Sequence, residues 1–215
     1  MGRDERSDDR PRGVIRLRGE RPPAETVLTT AAPRARITGR GALQANLNWL
    51  PGFDADLNLC CLMTFTDGTS TVVQALGDDY GSLTSWPYVR LDHDDRTGAS
   101  SDGETLRVNL EQRARFRRLL FFVYVYEGAA DFRRLGASVT VTAPGDQAVR
   151  ILLDDSPPGT TACAVALAVP EGEALSLRRE VRWFPGWPVR SPHEQIDEAY
   201  GFGIAWTTMS KPPRR

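Results

Sequence analysis

The chain has 215 residues, 40% hydrophobic, 8% aromatic and 26% charged, with a formal net charge of −1; this is the make-up of an ordinary globular protein, not of a disordered, collagen-like or membrane chain. No run approaches the roughly 18 apolar residues of a membrane span, and the charged stretch from Met1 to Arg21 lacks a signal-peptide core, so the expected location is the cytoplasm. Lys211 is the only lysine beside 26 arginines, a codon bias that carries no function.

In chain order, residues 1–12 (MGRDERSDDRPR) are nearly all charged or turn-forming and are read as a flexible tail. The domain is expected over 13–206, followed by a short tail at 207–215. From Gly13 onward the apolar residues recur mostly at period two, the pattern of half-buried strands. Ala45, Leu47 and Trp49 alternate with asparagines; Leu57, Leu59, Cys61, Met63 and Phe65 fall on one face; Leu106, Val108 and Leu110 alternate with Arg107 and Asn109. A strand is also expected from Thr71 to Leu76. The run Leu119 to Tyr126 (LLFFVYVY) is apolar throughout, as a central strand covered on both faces would be. Later strands are expected at Ser138–Thr142, Val149–Leu153, Cys163–Val169 and Leu175–Trp183, with turns at Asp67-Gly68, Pro144-Gly145, Pro157-Pro158-Gly159 and Glu171-Gly172. Only His193 to Tyr200 suits a helix, with Ser191 as N-cap and Pro192 in first position. Eight to ten strands without crossover helices predict an all-β fold: a two-sheet, mostly antiparallel β-sandwich with at most one or two short helices.

The charge is unevenly placed. Residues 1–40 carry +4, residues 41–104 carry −8 and residues 105–215 carry +3. Like charges at 4 Å repel by about 1 kcal/mol even in water, so surfaces normally mix their signs and the acidic middle third calls for a reason. Its acids form three groups: Asp54 and Asp56; Asp78 and Asp79; and Asp92, Asp94, Asp95, Asp102 and Glu104, the last with only Arg96 in compensation. All three stand at predicted strand ends, where loops converge without burial in the core. Ca²⁺ takes six to eight oxygen ligands, which flexible Gly-rich acidic loops can supply. The 92–104 segment is no EF-hand, since Arg96 and Thr97 stand where a ligand and a glycine belong, and no helices flank it. A solvated acidic face is the plain alternative, and on placement alone the two readings stand level.

Other chemistries have less to stand on. Cys60 and Cys61 would point to opposite faces and Cys163 is isolated, so neither a disulfide framework nor a zinc site is expected; the three are read as small buried hydrophobes. His93 and His193 are the only imidazoles, there is no nucleophile elbow, and His93 is read as an exposed loop residue. Paired carboxylates such as Asp54 and Glu104 could serve a glycosidase, but massed carboxylates suggest a cation first. The arginines of RARFRR (Arg113, Arg115, Arg117, Arg118) are read as a solvated strand entrance, and no nucleic-acid partner is expected. Trp183, Trp187 and Trp206 are read as packing residues, with a sugar-binding surface as the weaker reading.

Several segments together resemble the TerD family of bacterial tellurium-resistance and stress proteins, and within it the TerA-like branch. They are GVIRLRGE from Gly13, VLTTAAPRARITG and ANLNW, then FDADLNLCCLM at 53–63, ALGDDYG at 75–81, LDHDDRTGASSDGETLRVNL at 91–110, FFVYVYEG at 121–128 and YGFGIAW at 200–206. The match runs in order over about 13–206. Departures are Asp-Ala-Asp for Asp-Leu-Asp in the first acidic motif, one residue fewer in the second, and an inserted TGASS in the third. The resemblance implies a β-sandwich that binds Ca²⁺ through acidic loops without catalysis. Its ligand candidates would be Asp54, Asp56, Asp78, Asp79, Asp92, Asp94, Asp95, Asp102 and Glu104. It also implies assembly with other Ter proteins, including a membrane-bound TerC-type partner, in tellurite and stress resistance. Two alternatives stand beside it: a calcium-dependent membrane or carbohydrate reader of C2 or lectin type, for which Tyr80, Trp86 and Tyr88 speak, and a carboxylate- or metal-dependent hydrolase.

Overall fold

The computed structural model describes residues 25–53, 55–96, 103–128, 131–186 and 190–207. The expected N-terminal tail, the segment GVIRLRGE, Asp54, Asp102, Trp187 and residues 208–215 lie outside them.

Period-two patterning resolves into thirteen strands in two sheets, as expected for a mostly antiparallel sandwich. The seven-stranded sheet runs, from edge to edge, β1 (Glu25–Val27), β11 (Ala148–Leu152), β10 (Ser138–Thr142), β3 (Ala42–Asn48), β8 (Glu104–Asn109), β7 (Val89–Leu91) and β6 (Gly81–Ser82). The six-stranded sheet runs β2 (Arg34–Ile37), β13 (Ala174–Pro185), β12 (Thr160–Glu171), β9 (Phe116–Gly128), β4 (Ala55–Phe65) and β5 (Ser70–Val73). Every pairing is antiparallel except β1 with β11. Two short helices complete the described chain, α1 (Phe132–Leu135) and α2 (Pro192–Tyr200). No described helix is long and apolar enough to cross a membrane.

The main core lies between the sheets. Leu57, Leu59, Cys61, Met63 and Phe65 of β4 meet Leu43, Ala45 and Leu47 of β3 and Leu106 and Val108 of β8. The alternate residues of the six-stranded sheet face outward and are buried too. Cys60, Leu62, Leu120, Phe122, Tyr124, Ala162 and Ala164 are covered by Ile196 of α2 and by Phe202 just beyond it. The continuous apolar run of β9 is thus buried on both faces over Leu119–Tyr124, as its sequence predicts, while Val125 is half-buried and Tyr126 exposed. Helix α2 starts as expected: Pro192 opens it, and Ser191 and Glu194 form a reciprocal capping box. Its Asp197 holds the following segment down, one carboxylate oxygen accepting from the Phe202 and Gly203 amides and the other from the Ile204 amide and the Trp206 indole. All three cysteines are free and buried, Cys60 and Cys61 on opposite faces.

Three expectations are corrected. The strand count rises because β1, β2, β6 and β7, of two to four residues each, lie at or near the sheet edges. The strand expected from Thr71 to Leu76 stops at Val73, and Leu76–Asp78 is a 3-10 turn broken by Gly77 at φ 67°. The RARFRR run is not simply solvated. Residues Leu110–Arg115 form a 3-10 helix capped by Asn109, and Arg113 is buried, donating to the main-chain oxygens of Leu110, Gly39 and Glu173. Arg118 likewise donates to the Tyr200 and Gly201 carbonyls, at 2.7 and 2.6 Å, and lies over the Phe202 ring. A guanidinium presents five donors in a fixed fork, so it can serve several turn carbonyls that no strand reaches.

Candidate cation site

The register sets which acids meet. Strand β4 begins, and β7 ends, at the same end of the sandwich where β8 begins, since Leu47 pairs with Glu104 and Leu91 with Leu106. Beyond β5, whose pairing reaches only Cys61, the Leu59 amide has no strand on that side. Glu104, fully buried, takes that place: one carboxylate oxygen accepts from the Leu59 amide at 2.6 Å and the other from the Asp95 amide at 3.2 Å. Glu104 thereby fastens the 92–96 loop to β4 of the opposite sheet. The tight entrance to β8 needs Gly103, at φ 56°, because a Cβ there would meet the Leu47 carbonyl oxygen at 2.0 Å.

Around Glu104 stand Asp56 and Asp95, both buried, and Asp94, whose side chain is 9% exposed. Asp94 accepts from the Arg96 guanidinium at 2.7 Å, and that hydrogen bond, with the charges of Asp94 and Asp56, holds Arg96 above its ordinary range. Asp56 shares the outer face with Asn58, two residues on, and accepts from its side-chain amide at 3.0 Å. The other atom of that amide, Asn58 Oδ1, is buried and has no hydrogen-bond partner within the protein. Opposite Asn58 on β9 is Tyr124, whose buried hydroxyl is also unpartnered. Burial, then the charges of Cys60, Glu104, Asp56 and Asp94, push that phenol far above its ordinary range.

The nine sequence candidates divide accordingly. Asp56 at the start of β4, Glu104 at the start of β8, and Asp94 and Asp95 in the loop after β7 stand at one end of the sandwich, with Glu104 accepting from the Asp95 main-chain amide. Asp92 is drawn aside into a 2.6 Å ion pair with Arg107. Asp79 lies at the same end but is exposed, its carboxyl nudged upward by partial desolvation. Asp54, Asp102 and the Asp78 side chain lie outside the described residues. Among the described residues no three His, Cys, Asp or Glu side chains form a ready-made metal cage. Asn58 was missed by sequence reasoning, although its spacing of two from Asp56 puts both on one face.

The remaining sequence candidates fall elsewhere. His93 is exposed, as expected. His193 is buried among Phe122, Tyr124 and Trp206, its Nε2 without a partner, and burial lowers its pKa to about 4. Trp183 packs on Phe132 with ring centres 5.0 Å apart. Trp86 is exposed but leans on Phe65 at the far end of β4, and Tyr88 sits under Arg115, also at that end. Two of the three aromatics that favoured a membrane or sugar reader are thus remote from the acids. The Cys61 and Cys163 thiols are pushed up by burial, which keeps them protonated.

No protein-family profile matches the sequence. A curated relative, the tellurium resistance protein TerA of an Alcaligenes species, is 31% identical over 191 residues, which cover 82% of this chain and 55% of that protein. The chain therefore spans about half the length of that relative. Two solved structures share the fold at a TM-score of 0.55, each covering 70% of this chain and 94% of its own. One, 21% identical, is a homologue of the telluride resistance protein TerD from Streptomyces coelicolor A3(2); the other, 16% identical, is a protein of unknown function.

Proposed function

The chain belongs to the TerD family, and from that premise we propose that it is a non-enzymatic Ca²⁺-binding module of a bacterial tellurite and stress-resistance system. The observation that carries the proposal is the buried pair of Asp56 and Asn58, whose Oδ1 is an orphaned acceptor, at the end of the sandwich that also carries Asp94 and Asp95. A buried acceptor without a donor is a standing cost of about 1–3 kcal/mol that a cation would relieve. All are hard oxygen donors, the chemistry Ca²⁺ selects over softer metals. Asp56, Asp94, Asp95 and Asn58 would hold the ion, with Asp54, Asp78, Asp79 and Asp102 as further candidates. Glu104 would position the loop, since its oxygens already serve two amides. Bound Ca²⁺ would supply positive charge that ties the loops into one rigid edge.

Calorimetric titration with Ca²⁺ tests this. Wild-type protein should bind, and Asp56→Asn/Asp95→Asn should bind at least about tenfold more weakly, one or two ligand charges being lost. Equal isotherms would remove the acids from the site. Assembly with other Ter proteins and a TerC-type membrane partner, and a cytoplasmic location, belong to the same proposal and rest on the family.

A second reading has its own observation. Leu50 is 54% and Tyr126 40% exposed, and both lie at the acidic end, after β3 and late in β9. They favour a calcium-dependent membrane reader, which liposome sedimentation with Ca²⁺ or EDTA distinguishes.

A further inference from the structure

We propose that Arg96 is a tethered counter-cation that sets the ion affinity of the acidic end, its guanidinium neutralising Asp94 and Asp56 until a divalent cation displaces it. This rests on the calcium reading and adds its regulation.

The geometry is specific. Arg96 Nε donates to Asp94 Oδ2 at 2.7 Å, and the two side chains are only 20% and 9% exposed, so their attraction is screened far less than that of an ordinary surface pair. Asp56, on a different strand and sheet, also acts on the same guanidinium. Arg96 is thus tied to the 92–96 loop by a hydrogen bond and acts on the start of β4 by charge alone, the two elements a bound ion would join. Arg113, buried, is served by main-chain carbonyls. Arg96 instead donates to the Asp94 carboxylate, while Asn58, whose side-chain amide donates to Asp56, has its Oδ1 left unpartnered. A monovalent cation with planar donors cannot fill a site shaped for six to eight oxygens, and it yields to a divalent ion that can.

A +1 charge about 5 Å from a +2 ion weakens binding about tenfold even at the dielectric of water. Arg96→Gln should thus bind Ca²⁺ about tenfold more tightly by calorimetry, while its melting temperature in EDTA falls because Asp94 loses its charged partner. Arg96→Lys keeps the charge but not the Nε contact and should gain about threefold; it decides the matter should Arg96→Gln fail to fold. A merely structural arginine would lower the melt without raising affinity. If wild-type protein binds Ca²⁺ and both variants bind equally or more weakly, the tethered cation is overturned and the calcium reading stands. If neither wild type nor variants bind at millimolar Ca²⁺, the calcium reading itself falls, and the displacement with it.

Discussion

The two ends of the sandwich both bury charge, but they use it differently. At one end Arg113 is buried among the Leu110, Gly39 and Glu173 carbonyls, each a fixed main-chain acceptor. At the other, Asp56, Asp95 and Glu104 are buried with Asp94 close by, and one arginine stands among them. Each guanidinium nitrogen of Arg113 has an acceptor held by the fold itself, so Arg113 is scaffold. The second end keeps an orphaned buried acceptor, Asn58 Oδ1. Such a group is retained where something outside the chain completes it.

Breaking the scaffold end should cost most. Arg113→Met leaves buried carbonyls without donors and should lower stability by about 3 kcal/mol. For a chain of this size that is a fall of about 6–12 °C in the melt. The shift produced by adding Ca²⁺ should be unchanged; a lost calcium response in a folded variant would erase the distinction between the ends.

Next comes pH. His193 packs on Tyr124, and its pKa of about 4 lies below the ordinary 6.5. The unfolded chain therefore binds a proton that the folded chain refuses. Stability from this group is complete above pH 6.5 and is lost as pH falls toward 4, by up to about 3 kcal/mol. Between pH 7 and 4 the melt of wild type should fall more steeply than that of His193→Leu; parallel curves would contradict it.

Glu104→Gln is smaller and more pointed. It places an amide donor against a backbone donor, so one of the Leu59 and Asp95 amides is left unsatisfied at a cost of about 1–3 kcal/mol. Because Glu104 positions Asp95, Ca²⁺ affinity should fall as well, joining stability to binding at this end alone. Trp86→Ala, on an exposed ring at the scaffold end, should cost under about 1 kcal/mol and leave calcium binding untouched. A weakened calcium response there would return the aromatics to the site.

Much of this was legible in the sequence. Alternation in 57–65 and the unbroken apolar run of 119–126 report the inner face and the doubly covered strand, because side-chain direction in a strand has period two. Ser191, Pro192 and Glu194 announce α2 through local hydrogen bonds. The acidic end was legible as a clustering, but not which acids meet: Glu104 reaches the Leu59 amide 45 residues away, a contact made by strand order and not by local pattern. Arg113 misled because a run of arginines looks the same whether its guanidinia meet water or turn carbonyls. Asp92 was counted with its neighbours, yet the period of the 92–96 loop and the Arg107 side chain draw it off.

The most direct measurement is a thermal melt in EDTA, in Ca²⁺ and in Mg²⁺, on wild-type protein and Asp94→Asn/Asp95→Asn. Free Ca²⁺ at 100 times the dissociation constant adds about 2.7 kcal/mol per site, or about 5–10 °C for a chain of this length. The acidic end as a calcium site predicts that rise in Ca²⁺, little or none in Mg²⁺, and its loss in the variant. An unchanged wild-type melt at millimolar Ca²⁺ would contradict it and leave the acids as charge the fold merely tolerates.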